Sequence, residues 1–128
     1  MKSITILCFA LIFTISSHAQ TDTTKKEYQI KYEVLTKKGE KILVNYFDSD
    51  GKGAGATASE LWVYNFTTTN RNQNIQVSTL GGQEARSRKG AKVWAKVNIY
   101  VNGNLIKSVE EKVFGLGQSV QVNLNEIK

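Results

Sequence analysis

The sequence predicts an all-β fold, an immunoglobulin-like antiparallel β-sandwich of about seven strands behind a cleavable leader. Three observations predict it. Apolar and polar residues alternate with period two along most of the chain after residue 27, as half-buried strands require. Gly- and Asn-rich punctuation recurs between those stretches, and no stretch after the leader has helical periodicity. The 128 residues suit one domain, and 41% hydrophobic against 22% charged content describes a globular chain rather than a disordered one.

The leader comes first. Lys2 precedes an uncharged apolar run from Ile4 to Ile15, and Ser17-His18-Ala19 supplies a small-x-small cleavage pattern. A helix of that length rises about 18 Å, short of the roughly 30 Å hydrocarbon core of a bilayer. Residues 1–19 therefore read as a signal peptide cut between Ala19 and Gln20, with an uncleaved anchor as the alternative. Residues 20–27 read as a flexible lead-in, and 28–128 as a single β-sandwich domain. The expected location is periplasmic or secreted, with no transmembrane segment in the mature chain.

Strands then follow in order. Tyr28, Ile30, Tyr32 and Val34 alternate with Gln29, Lys31 and Glu33. After a turn at Lys37-Lys38-Gly39-Glu40, Ile42, Val44 and Tyr46 continue the alternation. Residues 48–59 (DSDGKGAGATAS) hold glycines and small side chains and read as a loop. Leu61 to Thr69 and Gln73 to Leu80 read as strands, separated from the next by the polar, basic loop 81–91. In 92–101, Val93, Ala95, Val97, Ile99 and Val101 form an apolar face, with Lys96 and Asn98 marking a wet one. Asn102-Gly103 is a strong hairpin signal, because a type I′ turn needs positive φ at both central residues. The return strand, Leu105 to Phe114, is too charged for a central position and suits an edge. Val120, Val122 and Leu124 make the last strand.

Cleavage would remove the only Cys (Cys8), the only His (His18) and the only Met (Met1). Ser-His-Asp and Cys-His nucleophilic centres are then excluded, as are the zinc, copper and haem sites that need His or Cys. No cofactor and no enzymatic activity are expected. Asp48-Ser49-Asp50-Gly51-Lys52-Gly53 resembles the opening of a calcium loop, but Lys52 and Ser59 occupy positions where ligands belong. A hairpin loop is the expectation there. Glu110 and Glu111 are adjacent, point to opposite faces of a strand and make no acid pair. Asn65-Phe66-Thr67 matches a glycosylation sequon inside a strand.

Two surfaces remain as candidate sites. The net charge is +6, and Arg71, Arg86, Arg88, Lys89, Lys92 and Lys96 crowd a short span opposed only by Glu84. Arg86, Arg88, Lys89 and Lys92 are the candidate anion-binding residues, suited to an anionic glycan or lipid surface; nucleic acid does not suit an exported protein. Trp94 and Tyr100 lie on the face of their strand opposite the apolar one and form a candidate aromatic surface. Trp62, Tyr64 and Phe66 share a strand face, and Trp62 is expected in the core.

The stretch Ile42–Asp48 leading into Asp50-Gly51, Trp62 in the next strand, and Ile99-Tyr100-Val101-Asn102-Gly103-Asn104-Leu105 together resemble the MmpS family of small exported β-sandwich proteins. The resemblance spans Tyr28 to Leu124, with Leu61 standing where the family usually carries Pro. It implies a sandwich fold and a role as a transport accessory that binds an envelope partner protein.

Overall fold

The computed structural model describes residues 25–81, 92–113 and 116–128. Among them are eight strands: β1 (Tyr28–Thr36), β2 (Lys41–Phe47), β3 (Gly53–Ser59), β4 (Leu61–Thr68), β5 (Ile75–Gly81), β6 (Val93–Val101), β7 (Asn104–Val113) and β8 (Leu116–Val122). A short 3-10 turn, Leu124–Glu126, follows, capped by the Asn123 side chain. Two antiparallel sheets result, sheet A in the order β4-β1-β6-β7 and sheet B in the order β3-β2-β5-β8. The two-layer all-β sandwich is as the alternation predicts.

The strand order has its own logic. The hairpin β2–β3 in sheet B is nested between β1 and β4, which pair in sheet A. The hairpin β6–β7 in sheet A is likewise nested between β5 and β8, which pair in sheet B. The two halves join through β1–β6 and β2–β5. The two four-stranded layers form a β-sandwich whose strand order is not the ABED and CFG order of an immunoglobulin domain.

One expectation is corrected. Residues 53–59 are a strand, not part of a loop, which raises the number of strands to eight. The period-two signal was carried by side chains too small to register as hydrophobic. Ala54, Ala56 and Ala58 lie opposite Tyr46, Val44 and Ile42 on the more buried side of the strand, Ala58 fully enclosed and the other two half-buried. The true turn is confined to residues 48–52. There Gly51 takes φ 73°, and the Asp48 carboxylate accepts from the amides of Asp50 and Lys52 at 2.9 Å.

The core fills the space between the sheets. Its fully enclosed side chains include Tyr28, Ile30, Tyr32 and Val34 of β1, Ile42 and Val44 of β2, Ile75 and Val77 of β5, Ile99 and Val101 of β6, and Leu124. Each of those on a strand comes from its even or its odd positions, as a pleated layer with one wet face dictates. Trp62, expected in the core, is instead half-buried at its margin and packs against it. With Tyr64 and Tyr46 it forms a connected ring cluster, the Tyr46 centroid lying 4.9 Å from Trp62 and 4.8 Å from Tyr64. Phe66 and Tyr32 extend the cluster inward. Burial raises the Tyr32 hydroxyl above its ordinary value of 10.0, so it stays protonated within the cluster.

Candidate functional site

The outer face of sheet A collects most of the chemistry outside the core. Register sets its rows. Glu33 of β1 lies opposite Asn98 of β6, and Asn98 opposite Ser108 of β7. Lys31 lies opposite Tyr100, and Tyr100 opposite Leu105.

A hydrogen-bonded chain runs along these rows. The Ser108 hydroxyl donates to Asn98 Oδ1 at 2.7 Å, and Asn98 Nδ2 donates to Glu33 Oε1 at 2.9 Å. The Tyr100 hydroxyl donates to the same oxygen at 3.3 Å, while Lys31 Nζ lies 3.5 Å from Glu33 Oε2. Lys31 also sits 3.9 Å from the Tyr100 ring centroid, a cation–π contact. Partial burial alone would raise the Glu33 carboxyl. The Asn98 bond, the Lys31 charge and the Tyr100 hydroxyl outweigh it and hold the group below its ordinary 4.5.

Asn98 was expected on a wet face and is instead only 5% exposed. Its amide is both donor and acceptor, so it can bridge two polar neighbours and be enclosed by them without an unmet bond. Glu33 was not singled out by sequence. Two of its partners, Asn98 and Tyr100, come from β6, far along the chain, and the one local cue is an acid on the outer side of a strand whose other side is Tyr28, Ile30, Tyr32, Val34 and Thr36.

Trp94 and Tyr100 do lie on this outer face, both half-buried. They are not brought together. Lys96 and Asn98 stand between them, and six residues of strand separate them by about 20 Å. Trp94 is tied down at its own end, its indole N–H donating to Glu110 Oε1 at 2.8 Å and its amide to Glu40 Oε2 at 3.3 Å. Tyr100 borders a groove of about 570 Å³ lined also by Gln29, Lys31, Asn65, Thr67 and Gly103. Beside it on the β6–β7 hairpin, Leu105 and Ile106 are 52% and 40% exposed. Asn102 and Gly103 take φ 51° and 79°, the type I′ signs their sequence foretold. Asn102 Oδ1 also accepts from the Gln29 amide at 2.9 Å, fixing the hairpin to β1.

Of the candidate anion-binding residues, Arg86, Arg88 and Lys89 lie outside the described residues. Lys92 is exposed just before β6. It shares its end of the sandwich with exposed Lys37, Lys38 and Lys41, since Thr36 pairs with Ala95 and Ile42 with Gly81. Arg71 does not belong to that group. It sits in the β4–β5 connection at the opposite end, and Lys96 lies on the outer face across from Glu110. The Asp48 carboxylate is committed to closing its hairpin. Gln73 Nε2 ties that hairpin to the β4–β5 connection by donating to the carbonyls of Asp48 and Ser49 at 3.1 and 2.9 Å. Among the described residues no group of three or more Asp, Glu, His or Cys side chains could hold a metal ion. No helix there is long and apolar enough to cross a membrane.

No protein-family model matches the chain, and no curated protein matches it either.

Proposed function

We propose that the protein is a non-enzymatic, exported binding module that engages an envelope partner protein through the β6–β7 hairpin end of sheet A. The observation that carries this reading is the groove of about 570 Å³ lined by Tyr100 and Gly103, next to which the β6–β7 hairpin exposes Leu105 and Ile106. A concavity with exposed apolar side chains on the neighbouring hairpin is the kind of surface a partner desolvates. The same hairpin carries the resemblance to the MmpS family, whose members act as transport accessories. Residues 20–128 contain no His and no Cys, which supports a binding role over a catalytic one.

A second reading is direct binding of an anionic glycan or lipid through Arg86, Arg88, Lys89 and Lys92. Exposed Lys37, Lys38 and Lys41 at the end of the sandwich where Lys92 lies favour it, because they add to the positive field there.

Capture of a partner from envelope extracts at low and high salt separates the two. A partner held by the hairpin survives high salt, is lost on Leu105→Lys with Ile106→Lys, and still binds when the four basic residues become Gln. Capture abolished by salt and by the Gln variant, but insensitive to the hairpin substitutions, replaces the first reading with the second.

A further inference from the structure

β4 closes sheet A on one side, and its outer edge is built to meet another strand. In the β1–β4 ladder the Thr36 amide donates to the Glu60 carbonyl at 2.8 Å, so every second pair from there is hydrogen-bonded: Val34 with Trp62, Tyr32 with Tyr64, Ile30 with Phe66. The main-chain groups of Leu61, Val63, Asn65 and Thr67 therefore point away from β1. All four residues are exposed, and Leu61 and Val63 are among the most exposed large apolar side chains described, at 56% and 39%. The strand (LWVYNFTT) holds no charge, no Pro and no Gly. A long, uncharged, apolar edge of this kind templates strand addition.

The sequence of β4 also specifies the occupant. We propose that β4 pairs antiparallel with β4 of a second copy of this chain about a two-fold axis at Tyr64. Under that operation Trp62 falls opposite Phe66 and Tyr64 opposite its own copy, so aromatic residues meet aromatic residues at every inward-facing pair. Trp62 and Tyr64 are the rings left half-open by the small side chains of β3, and the second copy covers them. On the outer face Val63 falls opposite Asn65 and diagonal to its own copy, and Leu61 falls opposite Thr67. Each of the four outward residues donates one amide and accepts at one carbonyl. A chain of net charge +6 resists self-association through any charged surface, and this strand brings no like charges together.

Sedimentation equilibrium of the purified protein tests the proposal, paired with amide exchange of β4. The expected result is twice the monomer mass, with exchange of the Leu61, Val63, Asn65 and Thr67 amides slowing as concentration rises. Val63→Pro removes an outward N–H and leaves the β1 ladder intact; it should weaken self-association about a hundredfold with unchanged circular dichroism. Val63→Lys with Asn65→Lys should give a monomer, and Val63→Lys with Asn65→Glu should restore the dimer, because those positions face each other across the axis. A wild-type protein that stays monomeric at millimolar concentration overturns the proposal. So does a dimer that survives Val63→Pro, or one indifferent to the sign at residue 65.

Discussion

On the flank where β7 and β8 end their sheets, charge guards the backbone. Lys107 and Glu111 of β7 occupy inward positions opposite Ile99 and Ala95, and Ile106 is an extra residue at a register shift. Lys107 Nζ reaches across to sheet B and donates to the Gln121 carbonyl of β8 at 3.0 Å. Inward charge, a bulge and a capped carbonyl are recognised defences against strand addition. On the opposite flank β3 and β4 carry no charged residue at all, and aromatic rings fill the gap between the sheets. The contrast teaches that exposure of an edge is a choice made by side chains: one sandwich contains both solutions on its two flanks.

Breaking the contrast at the backbone should have the largest effect. Tyr64→Pro removes a ladder bond to β1 and a packed ring, and should destabilise the fold by about 3 to 5 kcal/mol in urea denaturation. Val63→Pro, one residue away, should cost well under about 1 kcal/mol, since its N–H faces out. Similar losses for the two would mean the ladder runs in the other phase.

A second test strips the guarded flank. Lys107→Leu with Glu111→Leu, made in the Val63→Pro background, should convert a monomer into a species whose light scattering rises with concentration. A variant that stays monomeric would show that the bulge alone protects β7.

The smallest effect is in acid. Glu33 titrates below its ordinary 4.5 in the folded protein, so the stability it contributes is complete above that value and is lost as pH falls through the lowered native value. Denaturation midpoints should show this acid loss in the wild type and a flatter profile in Glu33→Gln. The Ser108–Asn98–Glu33 chain links β7, β6 and β1, so this titration reports on the strands that join the guarded edge to the rest of sheet A.

Much of this could be read from the residues before any coordinates. β1, β6 and the Asn102-Gly103 hairpin announce themselves through alternation of large apolar side chains and a turn that only certain residues can make. The edge position of β7 followed from Lys107, Glu110, Glu111 and Lys112, because central strands do not tolerate that density of charge. β3 was hidden since its alternation sets Ala against Gly, Thr and Ser, with no large apolar side chain to mark the inward face. The Glu33 network was hidden because it exists only through register, which depends on how three distant strands align. The six cations of 71–96 looked like one patch in sequence, yet Arg71 and Lys92 leave the sandwich at opposite ends. Proximity along a strand-rich chain is a poor guide to proximity in space, since each strand carries the chain the full length of the domain.

Glu60 explains why the two undefended strands share a flank. It is the single residue between β3 and β4, held at φ 65°, with its amide donating to the Thr36 hydroxyl at 2.8 Å. Ser59 and Leu61 can be at most about 7 Å apart across it, less than the roughly 10 Å between packed sheets. The chain thus changes layers with no slack to travel sideways, and β4 must rise directly above the border that β3 has just drawn. A longer link would let the two borders drift to different sides. Brevity at one corner turns two separate seams into a single continuous margin.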